Sequence, residues 1–338
     1  MRVAIINDTR TTHHYGCMLV MENLCRLLRE SGATIEWTWP VSVDWRNHKR
    51  RIKAMPDVDA IIINGEGTIH HNFERRFSQA LIDFVVFSAE ELERPCYVLN
   101  ATLHANNDEA YNALSCARAI YVRDKGSLTE LQNQGNLAGC YVPDLTFAAN
   151  KAHSNDLDKH GDLLVVDSAV KNDNSLLSKF AQIHGLDFRS MVVARPSNAR
   201  FLRSPRPWVK NVIRWLRTDR HISTQPSSYI ADLNRYRGVI TGRYHTVTMC
   251  LKNRIPFLTL ESNTPKIRYL LGDVLGDTSR SVSVEDLSNV TSSGVKPYSP
   301  AELEAISAFT SEAEFAIANM ISNIMADIDG GASGNFRY

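Results

Sequence analysis

The sequence predicts an α/β protein of two Rossmann-like, doubly wound domains facing across a cleft, and three observations carry that expectation. The chain has 338 residues, more than one core usually covers. Short β-branched runs alternate with segments of helical periodicity, the signature of parallel βαβ units. The alternation stops once, at a polar stretch rich in Asn, Asp, Lys and His over residues 150–161, and then resumes.

In the first half, strands are expected at residues 3–7, 34–38, 60–64, 96–100, 119–122 and 139–142, each a short apolar run bounded by polar or glycine-containing segments. Helical spacing of apolar residues marks 18–29 and 77–92, and 124–134 reads as a short capped helix. In the second half, strands are expected at 162–167, 191–194, 238–241 and 256–260, and helices at 176–183, 208–217 and 245–251. Residues 195–207 interleave Arg and Pro with Ser and Asn and read as a loop over a site. An amphipathic helix over 300–326 closes the pattern. The expected division is 1–150 for the first domain, 161–298 for the second, 299–327 for a helix packing back across both, and 328–338 for a frayed tail.

Composition narrows the function. Hydrophobic residues make up 43% and charged residues 22%, with 38 basic side chains against 37 acidic ones. A formal charge of +1 gives no chain-wide reason to bind nucleic acid or a charged membrane. The six cysteines are scattered and form no C-x-x-C pair, so they read as reduced thiols. The chain opens directly on a strand pattern and has no apolar run of transmembrane length. The expectation is a cytoplasmic protein without a transmembrane segment, with peripheral contact at the inner face of a membrane left open.

Three polar clusters follow expected strands, where open α/β sheets place their ligands. Gly65-Glu66-Gly67-Thr68-Ile69-His70 follows the third strand. Its glycines allow a tight turn and close backbone approach to an anion, although a plain strand-to-loop turn explains two glycines equally well. Asp8 to Cys17 follows the first strand and leads into a helix N-terminus able to attract an anion. It has neither dinucleotide nor Walker spacing. His13 and His14 lack a third ligand at a telling spacing, so no metal is expected. Thr241-Gly242-Arg243-Tyr244-His245 pairs a guanidinium fork with an imidazole that exchanges protons near neutral pH, and Lys266 follows as a second cation.

The order of these motifs resembles the polysaccharide pyruvyl transferase family. The resemblance rests on Gly65 to Thr68, Tyr121-Val122-Arg123-Asp124, Val142-Pro143-Asp144, Gly242 to His245, Pro256 and Lys266. It implies a GT-B-like pair of domains and transfer of the enolpyruvyl unit of phosphoenolpyruvate to a sugar hydroxyl of a cell-surface glycan or lipid-linked precursor. By motif, Arg243 and His245 match the family's Arg-x-His donor site, with Lys266 and Asp144 at later family positions. Two departures stand out: Glu66 lies between Gly65 and Gly67 where the family often has a third glycine, and Cys17 follows Gly16 where it often has Asp.

In this reading the second domain holds the donor and the first the acceptor. His245 is the general acid, and Glu66 or His70 is the base on the sugar hydroxyl. Arg243 and Lys266 hold carboxylate and phosphate, with Gly65, Gly67 and Thr68 on the donor-binding backbone. His14, Arg123 and Asp144 are further candidates. No cofactor or metal is needed beyond phosphoenolpyruvate as donor substrate. The competing expectations are a metal-independent glycosyltransferase using a nucleotide sugar and a non-catalytic glycan-binding protein. Trp208, Trp215, Tyr229 and Tyr236 could stack on a sugar, but their spacing favours core packing.

Overall fold

The computed structural model describes residues 1–67, 69–70, 76–134, 139–149, 161–194, 205–262, 264–283, 285–289 and 294–330. Of the polar stretch at 150–161, expected as the interdomain linker, residues 150–160 lie outside the described residues, as do most of the loop at 195–207, Thr68 and the tail from 331. Two compact units make up the chain. One comprises Met1–Thr11, Val20–Ala149 and the chain from Thr310 onward; the other comprises Thr12–Leu19 and Asn150–Phe309.

The first unit contains β1 (Arg2–Asp8), β2 (Thr34–Pro40), β3 (Ala60–Asn64), β4 (Ile69–His70), β5 (Cys96–Ala101), β6 (Leu103–His104), β7 (Ala119–Val122) and β8 (Gly139–Tyr141). Six of them form a parallel sheet in the order β2-β1-β3-β5-β7-β8. β3 reads Ala-Ile-Ile-Ile-Asn and is buried throughout, as a central parallel strand covered on both faces must be. The helices Tyr15–Glu30, Arg76–Glu90 and Lys125–Asn133 match the expected periodicities. The last begins where Asp124 accepts from the Ser127 amide at 2.8 Å, an N-cap that satisfies one of the helix's orphan donors. A separate parallel pair, β4 with β6, is too short for periodicity to reveal.

The second unit contains β9 (Gly161–Ser168), β10 (Asp187–Arg189), β11 (Tyr236–Gly242), β12 (Phe257–Leu260) and β13 (Ser281–Val282), in the order β10-β9-β11-β12-β13 with every pair parallel. Its core gathers Leu163, Val165, Phe180, Ile240 and Leu258.

One expected strand is misplaced. Residues 191–194 do not join the sheet; β10 ends at Arg189. Val192 forms a single antiparallel bridge with His14, supported by Tyr15 N–H to Met191 C=O at 2.9 Å and Val193 N–H to His13 C=O at 2.8 Å. The short apolar run there serves a local pairing, so it imitates a sheet strand.

The closing helix, Pro300–Asp329, is longer than expected. Glu302 accepts from Arg280 at 2.6 Å in the second unit, while Asp327 accepts from Arg118 at 2.6 Å and from the Tyr97 hydroxyl at 2.5 Å in the first. No described helix is long and apolar enough to cross a membrane.

Candidate active site

The second unit gathers Arg243, His245, Lys266 and His14. β11 ends at Gly242, and its neighbour β9 ends at Ser168, the register partner of Gly242. A Cβ on Gly242 would lie 2.3 Å from the Ser168 hydroxyl, so only glycine lets the two strand ends come this close. That approach sets Arg243 beside Asp167. Nε and Nη2 of Arg243 donate to the two carboxylate oxygens at 2.8 and 3.0 Å, a bidentate clamp that fixes the plane of the guanidinium. Asp167 is itself held by the Ser190 hydroxyl at 2.7 Å and the Met191 amide at 3.2 Å. The Arg243 side chain keeps 21% of its surface exposed, so its positive charge is oriented without being sealed off.

Arg243 is the N-cap of the helix Tyr244–Lys252, and its own amide donates to the Thr241 hydroxyl at 3.0 Å. His245 therefore lies in the first helical turn, where the helix dipole favours an anion. Lys266 opens the helix Lys266–Leu275.

His14 reaches this cluster because residues 13–15 pair with 191–193. Tyr15 stacks on buried Tyr229 at 4.5 Å between ring centroids and donates its hydroxyl to Ser223 C=O at 2.9 Å. The His14 ring meets His245 edge-on, with centroids 5.7 Å apart. Burial, then His245, Arg243 and Lys266, holds the His14 pKa well below the ordinary imidazole value, so its ring is neutral at pH 7. Gly16 makes the approach possible: a Cβ there would fall 2.2 Å from the His245 Cβ.

The remaining sequence candidates lie in the first unit. Gly65 packs where a Cβ would meet Ala101 at 2.6 Å, and its amide donates to Leu99 C=O at 2.7 Å, so its smallness serves the β3–β5 approach. Gly67 has φ +103°, which accounts for glycine at the turn. Glu66 is buried and accepts from the Thr9 hydroxyl at 2.8 Å, and its amide donates to the Asn64 side chain at 3.2 Å. His70 is buried in β4. Arg123 and Asp144 form an ion pair at 2.9 Å with side chains 1% and 0% exposed. Thr102 accepts from Arg123 Nε at 2.8 Å, and Asp144 accepts from the Thr146 amide at 2.9 Å and its hydroxyl at 2.7 Å, so the pair is a sealed structural element of this unit. Tyr229 and Tyr236 are buried, in keeping with core packing.

Sequence reading missed Asp167 and the nearness of Gly16 and Cys17 to His245. Asp167 was within reach, as the last residue of an expected strand next to the one bearing Arg243. Gly16 and Cys17 were not, because their neighbour His245 comes from a distant part of the chain. His14, Cys17 and His245 each offer a ligand atom, all within 4.8 Å of one another.

Comparison with known proteins agrees with this architecture. The S. aureus MnaA–UDP structure aligns with a TM-score of 0.52 and 10% identity, over 100% of this chain and 99% of that one. A putative UDP-N-acetylglucosamine 2-epimerase from Listeria monocytogenes aligns at 0.51 and 11%, over 100% and 99%. At such identities the likeness shows the fold, two Rossmann-like domains of GT-B type. No curated protein matches the chain. The family model for polysaccharide pyruvyl transferase matches residues 14–264, a span that begins at His14 and takes in Asp167, Arg243 and His245. The chain belongs to the polysaccharide pyruvyl transferase family and is a transferase.

Proposed function

We propose that the chain transfers the enolpyruvyl unit of phosphoenolpyruvate to sugar hydroxyls of a cell-surface glycan or its precursor, leaving a pyruvate ketal. The observation that carries this reading is Arg243, clamped by Asp167 beside His245 at a helix N-terminus, with Arg243, His245 and Lys266 all close enough to act on His14. Such a group suits a small trianion carrying carboxylate and phosphate.

In the proposed reaction His245 gives a proton to the methylene carbon, and a sugar hydroxyl attacks the adjacent carbon, which has become cationic. A second hydroxyl closes the ketal as the carbon–oxygen bond to phosphate breaks and the electron pair leaves with phosphate. Of the two hydroxyl protons released, one restores His245 and one leaves on the phosphate. Arg243 and Lys266 stabilise the charge that develops on the departing group. Glu66 or His70 is the proposed base for the acceptor hydroxyl. Peripheral contact with a membrane-bound acceptor belongs to the same proposal.

Thermal unfolding with added ligand tests the donor. Phosphoenolpyruvate should raise the midpoint saturably in wild type and much less in Arg243→Ala. Saturable stabilisation by a nucleotide sugar, with none by phosphoenolpyruvate, would overturn the proposal in favour of glycosyl transfer.

A further inference from the structure

We infer that His14, Cys17 and His245 form a binding site for a thiophilic divalent cation of the Zn²⁺ class, and that filling it switches the enzyme off. The second half of this inference rests on the proposed role of His245; the first half does not.

The ligand set is two imidazoles and a thiol, with one ligand atom from each lying within 4.8 Å of the others. A tetrahedral zinc with bonds of about 2.0–2.1 Å to nitrogen and about 2.3 Å to sulfur needs its ligand atoms closer together than that limit, about 3.3–3.7 Å apart. The backbone that carries the set is held in place, so closing that difference falls to side-chain rotation. His14 and Cys17 are three residues apart at the start of one helix, residues 13–15 are hydrogen-bonded to 191–193, and His245 packs directly on Gly16. Cys17 is in no disulfide and is partly exposed, which gives a cation an approach. The Cys17 amide lies 3.4 Å from His14 Nδ1, a long contact that costs little if the ring turns.

The chemistry selects the metal class. Sulfur with two nitrogens favours zinc, cobalt or cadmium over magnesium or calcium, which require oxygen ligands. Three protein ligands leave a fourth position for water or an anionic substrate group.

Nearby positive charge opposes a cation, and two features offset it. Asp167 already balances Arg243. Binding also converts the Cys17 thiol to thiolate with release of one proton, which removes one of the two metal charges. The positive charge that Lys266 brings to bear on His14 opposes a cation, so the site should bind reversibly and more weakly than a structural zinc site.

An imidazole bound to a cation through one nitrogen cannot become the imidazolium that a general acid must be, so coordination takes His245 out of proton transfer. The metal-free protein is then the active form, and a chelator should leave activity unchanged or higher.

Cobalt titration of the full chain, purified with reductant and stripped with EDTA, is the test. One Co²⁺ per chain should bind with a thiolate-to-cobalt charge-transfer band and tetrahedral visible bands, and Cys17→Ser should lose the charge-transfer band. With phosphoenolpyruvate and acceptor present, stoichiometric Zn²⁺ should lower activity at least tenfold, reversibly with EDTA, and Cys17→Ser should need at least tenfold more zinc for the same loss. Absence of the band in wild type, or an equal band in Cys17→Ser, overturns the site. A band with no inhibition, or a requirement for zinc, overturns the switch. Failure to turn over phosphoenolpyruvate would count against the proposed donor and leave the cobalt result standing.

Discussion

At the end of β11, Arg243 keeps one flank on Asp167 and a fifth of its side chain in solvent; at the end of β7, Arg123 is 1% exposed and is committed to Asp144 and Thr102. Both arginines follow a parallel strand, both precede a helix and both pair with an aspartate. The difference lies in what surrounds the pair. Arg243, His245 and Lys266 all bring positive charge to bear on His14, a grouping that an anion would answer. Around Arg123 and Asp144 the neighbours are hydroxyls and amides that complete a closed network. An arginine–carboxylate pair thus builds a site when one face of the guanidinium stays open, and holds a domain together when both faces are used.

The sharpest way to break this comparison is to truncate both arginines. Arg123→Ala leaves the Asp144 charge buried without its partner and should cost about 3–5 kcal/mol of stability, read from the urea midpoint of unfolding. Arg243→Ala should cost clearly less, because Asp167 retains the Ser190 hydroxyl and the Met191 amide. A loss of stability equal to that of Arg123→Ala would make Arg243 structural.

Activity should rank them the other way. Arg243→Ala should lower kcat by about 10²–10³-fold with the far-ultraviolet circular dichroism unchanged, as loss of an oriented donor to a developing anion does. Arg243→Lys should recover only part of this, since an ammonium cannot reproduce the planar fork.

A smaller effect separates the two expected acid–base residues. His245→Gln should weaken donor binding by about 1.5–3 kcal/mol, the range of a charge-assisted hydrogen bond. Glu66→Gln should leave donor affinity unchanged or slightly tighter, since a negative charge is removed. Calorimetric titration of phosphoenolpyruvate into both variants measures the difference, and equal weakening would end the assignment of Glu66 to the acceptor.

The mildest effect concerns pH and lies away from both arginines. Hydrogen bonding to Arg280 holds the Glu302 carboxyl at about 2, below its ordinary 4.5. A lowered carboxylate pKa stabilises the fold above the unfolded value, and that contribution is lost as pH falls from about 4.5 towards 2. Glu302→Gln should therefore lower stability at neutral pH and flatten the acid limb of a stability–pH profile between those values. An unchanged limb would place the acid sensitivity elsewhere.

The sequence by itself determined the strands and helices that run deep in the units. β3 and β7 fall at their expected bounds because a buried parallel strand is a continuous apolar run with polar residues at its ends. Arg243, His245 and Lys266 were legible for a related reason: residues at the carboxyl ends of such strands and at the helices that follow face a ligand by topology. Only tertiary structure decided which polar residues were consumed. Whether Arg123 meets solvent or Asp144, whether Gly65 faces a ligand or packs on Ala101, and whether His14 stands alone or against His245 and Cys17 all depend on contacts between residues far apart in the chain. Local periodicity holds no record of such contacts, because close packing between distant segments sets them.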